Sequence, residues 1–379
     1  MNDTPSDSAS PGPIAAAGGD RTTLPVVAVI GVGLIGGSVA LAARARLGAT
    51  VVAWDPDPAS LRTAVERGAV DVAAESPAEA VGQADAVFVA APLGAVGDTV
   101  DLVLAAAGPD TVVTDVGSTK ADVAARFSRD GRFVGGHPLA GAETAGITHA
   151  RDDLFEQAAW YLTPEGTTTG TLYERLHRLL TGLGARPLAI DAAAHDRAMA
   201  GISHLPHIVA NVLVSHVSGA LDPDEPLPAI GPSFRDATRV AGAHPALWAD
   251  IYLANAPALL GAIEDASARL VHARTLIERG DREGLVAWQR QVAREREALQ
   301  AAGPDPGPTT ELRVAVTNRP GVMADIALAL GRAGIGISDL TLSPSPDNTA
   351  GVVGLWVDAG EAQAAAALVQ ALGFPVTPA

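Results

Sequence analysis

The sequence predicts an α/β protein in three parts: a parallel sheet with helices on both faces, an all-helical second domain, and a small βαββαβ domain. The first prediction rests on short β-rich runs that alternate with amphipathic stretches in residues 25–190. The second rests on residues 191–301, where long helical patterns follow one another without a strand pattern. The third rests on residues 311–379, whose strand and helix order is the ferredoxin-like one.

The composition argues against several classes of function. The formal net charge of −17 disfavours nucleic acid or an anionic membrane as a partner, because both require a basic surface. A small anionic substrate remains compatible, since one local arginine can bind it. The absence of cysteine excludes disulfides and thiol nucleophiles, and we expect a cytoplasmic location.

The first 24 residues predict a disordered tail. They are rich in Ser, Pro, Gly and Asp and lack the basic start of a targeting segment. The run Leu24–Ala43 that follows is uncharged and long enough to cross a bilayer. Four glycines cluster in its middle, so a strand, a tight turn and a helix explain it better than a membrane span.

Seven strands are predicted in the first domain, with helical patterns such as Leu93–Ala107 and Lys120–Ser128 between most of them. This alternation is typical of a parallel sheet. The predicted strands are Val26–Ile30, Thr50–Trp54, Ala86–Ala90, Thr111–Thr114, Phe133–Gly135, Trp160–Thr163 and Arg186–Ile190.

The second domain is predicted to contain long helices over His195–Val217, Ala246–Glu264 and Gly284–Ala301. Their apolar surface favours burial against a second copy, so we expect a homodimer. A linker rich in Gly, Pro and Asp, residues 302–310, leads to the third domain.

The segment Gly31-Val32-Gly33-Leu34-Ile35-Gly36 follows the first strand and opens a helix, which is the setting of a Rossmann-type dinucleotide site. Gly31 permits the tight turn, Gly33 lets the backbone approach a pyrophosphate, and Gly36 allows close helix packing. The N–H groups of the helix N-terminus, at Leu34 and Ile35, are donors for the phosphates. A glycine-rich turn in another α/β fold is the alternative.

Asp55 ends the second strand, where a carboxylate accepts hydrogen bonds from ribose hydroxyls and repels a 2′-phosphate. This residue favours NAD over NADP. Asp57 would add to the repulsion, and Arg62 is the nearby residue that could reverse it.

Two segments at the ends of strands carry candidate catalytic groups. His137 is predicted on a loop at the carboxyl edge of the sheet, where ligands bind in such folds, and its ordinary pKa near ~6.5 suits a base. A structural loop histidine is the alternative. Ser118, in Thr114–Lys120, is equally a helix N-cap or a hydroxyl aimed into the cleft.

The helical domain offers three histidines and two arginines. His195, His204 and His207 share one predicted helix, where they either line a cleft or pack at a helix interface. No well-spaced carboxylate follows them as a third ligand, so no metal site is expected. Arg235 and Arg239 lie one turn apart. An arginine at such a place can bind a carboxylate in a cleft, and the alternative is that both belong to a solvated helix face.

In order and spacing, these motifs resemble the prephenate/arogenate dehydrogenase family. The resemblance covers about residues 26–300, and its most specific parts are GGHPLAGAETAG and SHLPH. The segments that carry it are Gly31–Ser38, Thr114–Lys120, Gly135–Gly146, His195–His207 and Phe234–Ile251.

The resemblance implies an NAD-dependent oxidative decarboxylation of prephenate or arogenate in tyrosine biosynthesis. It implies that His137 accepts the proton of the substrate ring hydroxyl and that Ser118 helps to orient both groups. It further implies that Arg239 and His207 hold substrate carboxylate, with His204 lining the pocket.

The last seventy residues resemble an ACT domain, a small amino-acid-sensing module, on the segments Asn318–Met323 and Gly334–Ile337. The resemblance implies that an amino acid, with tyrosine as the hypothesis, binds around Asn318 and Gly321 at an interface between two copies. A purely structural dimerisation module is the alternative.

Two rival functions stay open at this point. One is a β-hydroxyacid dehydrogenase, which usually relies on a lysine of its helical domain, whereas the single lysine here, Lys120, follows the sheet. The other is a non-catalytic sensor of NAD and amino acids, although every polar residue that the family mechanism needs is present.

Overall fold

The computed structural model describes residues 25–141, 144–219, 229–301, 308–317, 319–345 and 349–378. The predicted tail, residues 1–24, and residues 302–307 of the predicted linker lie outside these ranges, as does Asn318.

A sheet of eight strands forms the first part of the chain. The strands are β1 (Val26–Ile30), β2 (Thr50–Trp54), β3 (Val72–Ala73), β4 (Ala86–Val89), β5 (Val112–Asp115), β6 (Phe133–Pro138), β7 (Ala159–Thr163) and β8 (Arg186–Ala189). Their order is β3-β2-β1-β4-β5-β6-β7-β8. Neighbours pair in parallel except β6 and β7, so the prediction of a parallel sheet is wrong at that pair.

Helices cover both faces of this sheet, as predicted. Val27 and Val29 of β1 pack into one hydrophobic core, and Ala28 and Ile30 pack into the other. A central parallel strand is buried on both faces, which is why it reads as a continuous apolar run. The helices are α1 (Leu34–Leu47), α2 (Pro58–Glu66), α3 (Pro77–Val81), α4 (Leu93–Ala106), α5 (Ala121–Phe127) and α6 (Gly170–Gly182).

The second part of the chain is helical. Its helices are α7 (Ala192–Met199), α8 (Leu205–Gly219), α9 (Pro232–Ala237), α10 (Pro245–Ala254), α11 (Ala256–Glu278) and α12 (Arg282–Ala301). The predicted single helix over Ala246–Glu264 is wrong, because α10 and α11 meet at an angle of 92°. Asn255 lies at this corner and ends α10.

The helix predicted over His195–Val217 contains a π turn, Ala200–His204, between α7 and α8. Pro206 follows this turn and has no N–H to donate to the preceding turn, which explains the local change in helix geometry. By length and hydropathy alone, the run Ala192–Gly219 could cross a bilayer. Within the described chain, however, α7 packs against α5 and α11, as a helix of a folded core does.

The third part has the predicted βαββαβ order and forms an antiparallel sheet. Its elements are β9 (Thr309–Thr317), α13 (Val322–Arg332), β10 (Asp339–Pro344), β11 (Ala350–Asp358), α14 (Ala362–Ala371) and β12 (Val376–Pro378). The strand order is β10-β11-β9-β12. This module packs on the first part, with α13 against β8 and α6.

Candidate active site

The glycine loop between β1 and α1 has the geometry that a dinucleotide requires. Gly31 adopts a φ of +98°, and its N–H donates to the carbonyl of Trp54 at 2.8 Å. A Cβ on Gly36 would lie 1.9 Å from the Gly31 carbonyl oxygen, so only glycine lets the helix approach the loop this closely. A Cβ on Gly33 would meet no protein atom within 4 Å. The loop therefore packs closely against α1 at Gly36 and leaves free space next to Gly33.

The start of α1 offers an anion site above that opening. Leu34 and Ile35 are its first residues, no side chain caps the helix, and its first turn contains no acidic residue. Backbone N–H groups at a helix N-terminus bind phosphate through hydrogen bonds and the helix dipole. These residues fit the pyrophosphate of NAD.

Asp55 lies directly after β2 and supports the glycine loop. Its Oδ2 accepts a hydrogen bond from the Val32 N–H at 2.7 Å, and its Oδ1 accepts one from the Asp57 N–H at 2.8 Å. Each carboxylate oxygen keeps a second acceptor position for a ribose hydroxyl. Asp57 caps α2 by accepting from the N–H groups of Ala59 and Ser60.

His137 lies within β6, where it pairs with Tyr161 of β7, so its predicted position on a loop is wrong. The sequence pattern hid this extension because the two residues before His137 are glycines. Gly136 must be glycine, since a Cβ there would lie 2.6 Å from the carbonyl oxygen of Asp115 in β5. The histidine nevertheless lies at the carboxyl end of the sheet, the edge at which the glycine loop also lies.

His137 is half-buried and is the first member of a chain of polar side chains, whose other two members, His195 and Asp196, are buried. Its Nδ1 lies 2.8 Å from Nε2 of His195, whose Nδ1 lies 2.8 Å from Oδ1 of Asp196. Burial lowers the pKa of His137 well below its ordinary value, and electrostatic interactions with His195 and Lys120 lower it further. His137 is therefore a neutral imidazole at pH 7, the form that accepts a proton.

A buried ion pair joins the end of β5 to the residue that precedes α5. The Lys120 ammonium contacts the Asp115 carboxylate, and both side chains are fully buried. Asp115 also accepts from the N–H of Gly117 at 2.9 Å and of Gly136 at 3.1 Å. Burial lowers the pKa of Lys120, while Asp115 opposes that shift. By accepting from Gly136, Asp115 holds the strand that carries His137.

Ser118 is half-buried in the loop between β5 and α5, and it is not the N-cap of that helix. The Asp196 carboxylate takes the capping role, because it accepts from the N–H groups of Lys120 at 2.7 Å and Ala121 at 2.8 Å. The N-cap alternative for Ser118 is thus wrong.

His204 lies on the π turn and faces the same cluster. Its Nδ1 lies 3.1 Å from the side-chain amide of Asn255, which also donates to the Asp196 carbonyl at 2.8 Å. Burial lowers the pKa of His204 to about 4. Asn255 therefore ties the corner between α10 and α11 to the start of the helical domain.

His207 lies one turn further along α8 and belongs to an aromatic cluster. Its ring stacks on Trp248 with centroids 3.6 Å apart and an angle of 7° between the rings. Its Nδ1 contacts the Tyr252 hydroxyl, and the Asn211 amide lies 3.1 Å away. Burial lowers the pKa of His207 as well.

Arg239 lies in the exposed turn after α9. That segment is held to α8, because the Gly242 N–H donates to the Asn211 side chain at 3.1 Å. The structure thus brings the half-buried His137 together with the buried His195 and His204 in one cluster. It places Arg239 on a segment next to His207. Arg235 is exposed on α9.

Several residues of the cluster were not assigned a role from the sequence. The sequence signal for the pair His195-Asp196 is their adjacency at the start of the helical domain. Asn255 and Trp248 gave no signal, since they reach the histidines only through the folding of α10 and α11 back onto α7 and α8. Within the described ranges, no group of three or more His, Asp and Glu side chains is placed to hold a metal.

A phosphate-binding glycine loop and a neutral histidine base share one edge of the sheet, and a helical domain covers that edge. This arrangement defines a dinucleotide-dependent dehydrogenase with a separate helical domain for its substrate.

Comparison with known proteins identifies the family. Residues 39–188 match the family model "Prephenate dehydrogenase, nucleotide-binding domain", and residues 191–291 match "Prephenate dehydrogenase, dimerization domain". The chain is 33% identical over 343 residues to prephenate dehydrogenase of Bacillus subtilis, covering 86% of this chain and 90% of the relative. This chain belongs to the prephenate dehydrogenase family.

Two solved structures share its architecture. Aquifex aeolicus prephenate dehydrogenase, crystallised with hydroxyphenyl propionate and NAD⁺, is 30% identical with a TM-score of 0.70, over 74% of this chain and all of that one. Synechocystis arogenate dehydrogenase is 32% identical with a TM-score of 0.65, over 72% of this chain and 99% of that one. The nucleotide-binding and helical domains are therefore those of the family, and NAD is the cofactor.

Proposed function

We propose that this chain oxidatively decarboxylates prephenate or arogenate with NAD⁺, in the biosynthesis of tyrosine. The observation that carries the proposal is the half-buried, neutral His137 at the sheet edge that also holds the glycine loop. The family membership and the neighbours that bind NAD⁺ or act on arogenate support the same reaction.

His137 accepts the proton of the ring hydroxyl in this proposal, and Ser118 helps to orient the hydroxyl and the base. The glycine loop and the start of α1 would hold NAD⁺, which would supply the acceptor for the hydride of the carbon that bears the hydroxyl. The bond to the ring carboxylate then breaks, and CO₂ leaves as its electron pair makes the ring aromatic. The protein's contribution is to hold hydroxyl and base within reach of each other and to keep the base neutral.

The helical domain supplies the substrate contacts. Arg239 and His207 bind substrate carboxylate, and His204 lines the pocket. Two features of the structure support this assignment: His204 belongs to the cluster around His137, and the segment of Arg239 is tied to Asn211, which also contacts His207.

The rival β-hydroxyacid dehydrogenase is disfavoured by the position of Lys120. Its ammonium is fully buried and already paired with the Asp115 carboxylate, which disfavours a role in binding substrate. The non-catalytic sensor is disfavoured by the histidine chain, because a protein that only binds has no need of a neutral base in that place.

We further propose that the protein is a cytoplasmic homodimer formed through its helical domain. The matching family model is described as a dimerization domain. In the single chain, large apolar side chains on the described helices α8, α10, α11 and α12 are exposed, among them Val212, Leu253, Leu260, Leu270, Ile277 and Leu299. Apolar surface of this extent is typical of a protein interface.

Regulation by tyrosine through the third domain is also a proposal. Gly321 of this domain is buried against the first domain: its N–H donates to the Thr168 carbonyl at 2.9 Å, and a Cβ on it would lie 2.2 Å from the Gly166 carbonyl. An effector bound beside Gly321 would therefore act on the contact between the two domains. A titration with tyrosine, phenylalanine and tryptophan that changes neither turnover nor thermal stability would refute regulation by these amino acids.

Turnover tests the main proposal. Purified protein with NAD⁺ should form NADH, followed by its absorbance, when prephenate or arogenate is added, and the ratio of the two rates identifies the preferred substrate. His137→Ala should lose most of this turnover while it still binds NAD⁺. Folded protein that binds NAD⁺ but turns over neither substrate would contradict the proposal.

A further inference from the structure

Asp196 is a buried carboxylate with three hydrogen-bond partners. It accepts from the N–H groups of Lys120 and Ala121 and contacts Nδ1 of His195. Burial alone would raise the pKa of Asp196, but the hydrogen bonds from His195 and the two backbone groups outweigh it, so that the pKa is lowered. Asp196 is therefore ionised at neutral pH and acts only as an acceptor.

The state of Asp196 determines the tautomer of His195. An ionised carboxylate cannot donate, so Nδ1 of His195 carries the hydrogen of that 2.8 Å contact. In the neutral imidazole, Nε2 of His195 then holds a lone pair. The ring is completely buried and packs edge-on against Tyr161, with centroids 5.5 Å apart, which fixes its orientation.

The lone pair of His195 in turn determines the tautomer of His137. Since Nε2 of His195 accepts, Nδ1 of His137 donates across the 2.8 Å contact. The opposite nitrogen of His137, Nε2, is left with its lone pair. A histidine with this tautomer can take a proton at Nε2, whereas the other tautomer would present an N–H there and could not.

We propose that His195 and Asp196 are positioning residues for the base: they hold His137 in the tautomer whose Nε2 accepts the substrate proton, and they stabilise the cation that results. This inference rests on the proposed function of His137. Neither residue touches the reacting atoms, so each acts through His137. A carboxylate commonly orients an imidazole through a hydrogen bond. Here the Asp196 carboxylate orients His195, and His195 in turn orients His137.

Other charged and titratable groups pack around the pair and must be held constant in any test. Lys120 and Asp115 lie on the sheet side, Tyr161 on β7, and His204 on the π turn. None of them replaces the link between His195 and His137 in the described part of the chain, because that link is a direct contact between ring nitrogens.

The test uses the full-length protein and three substitutions in the chain. His195→Leu removes both hydrogen bonds, His195→Gln keeps an acceptor for His137 and a donor for Asp196, and Asp196→Asn removes the charge. We expect kcat to fall by about a hundredfold in His195→Leu and Asp196→Asn, and less in His195→Gln, with the KM for substrate within a few-fold. His177→Leu is the matched control, since it removes a buried histidine of α6 outside the cluster, and its kcat should stay near that of the wild type.

Two readouts separate positioning from a general structural role. In a His137→Ala background, His195→Leu should cause no further loss, because its effect passes through His137. The acidic limb of the pH profile should also move to lower pH in Asp196→Asn, since loss of the negative charge makes His137 less basic. A kcat for His195→Leu within threefold of the wild type, or a full additional loss in the His137→Ala background, would overturn the proposal.

A direct measurement of the tautomer keeps this test independent of turnover. In ¹⁵N-labelled protein, the imidazole ¹⁵N signals of His137, assigned by their absence in His137→Ala, should report hydrogen on Nδ1 and none on Nε2. The opposite tautomer would refute the role of the pair even if the enzyme is active. Conversely, wild-type protein without turnover, but with the expected tautomer, would refute the proposed function alone.

Discussion

Two glycines of the nucleotide-binding motif, Gly33 and Gly36, should differ in how their substitution by alanine affects folding stability. A Cβ at Gly36 would lie 1.9 Å from the Gly31 carbonyl oxygen, whereas a Cβ at Gly33 would meet no protein atom within 4 Å. Contact between such atoms normally begins near ~3.5 Å, so Gly36→Ala forces the helix and the loop apart by about 1.6 Å. We expect that overpacking to cost about 1–3 kcal/mol of folding stability.

Gly33→Ala should leave folding stability within about 0.5 kcal/mol of the wild type, because the new methyl group clashes with nothing in the protein. The methyl group would instead occupy the space from which a pyrophosphate contacts the start of α1. Loss of one charge-assisted hydrogen bond there costs about 1.5–3 kcal/mol, which corresponds to about a ten- to hundredfold weaker NAD⁺ affinity.

The assay combines thermal unfolding with titration of NADH fluorescence for both variants. Gly36→Ala should lower the melting temperature and weaken NADH binding, whereas Gly33→Ala should weaken NADH binding alone. Wild-type affinity in Gly33→Ala would refute the position assigned to the pyrophosphate, and an unchanged melting temperature in Gly36→Ala would refute the argument from close packing.

Four further predictions concern cofactor choice, pH and domain contacts. Asp55→Asn should raise the ratio of NADP⁺ to NAD⁺ turnover by about tenfold, as measured by kcat/KM, because it removes the repulsion of the 2′-phosphate; an unchanged ratio would exclude Asp55 as the selector. Burial lowers the pKa of His177 to about 4, so between about pH 6.5 and pH 4 this histidine is protonated in the unfolded chain but not in the folded chain. The free energy of unfolding should therefore fall by about 3 kcal/mol over this range, as measured by denaturant titration. If His177→Leu shows the same fall, the buried histidine is not its cause. Leu270→Asp, at a side chain that is 72% exposed, should dissociate the homodimer in sedimentation experiments, whereas Leu102→Asp on α4 should not; dimers in both variants would place the interface elsewhere. Gly321→Ala should abolish any tyrosine response in kinetic titrations while leaving basal turnover, since its methyl group would strike the first domain; a retained response would separate regulation from this contact.

Much of the first domain could be predicted because buried parallel strands leave strong apolar runs. β1 and β2 have the predicted bounds, and the glycine loop lies between strand and helix as expected. The two-residue β3 was missed because a strand that short has no pattern. The strand β7 was predicted, but its antiparallel pairing with β6 was not. The direction of a strand is decided by how the chain returns to the sheet, and the residues of the strand do not encode it.

The sequence predicted that the second domain is helical, but not where its helices bend. The corner at Asn255 was missed, since the sequence around it continues a helical pattern and Pro257 is acceptable in the first turn of a new helix. The π turn before Pro206 was missed for a similar reason. A proline indicates that the helix is interrupted but not whether a kink, a π turn or a helix end results.

The site shows the same division between local signals and tertiary contacts. His137 and the glycine loop are local motifs, and the structure places both at one edge of the sheet. The contact from His195 to His137 spans 58 residues, and the cap that Asp196 provides to α5 spans 75, so no sequence pattern could reveal either. The role of Ser118 as an N-cap was a reasonable local alternative that a distant carboxylate displaced.

The most direct test of the central claim is the stoichiometry of the products. Oxidative decarboxylation predicts one CO₂ released for each NADH formed, with prephenate or arogenate as the substrate, and loss of both products together in His137→Ala. NADH formed without CO₂ would contradict the account and indicate an oxidation of the β-hydroxyacid type on the same fold.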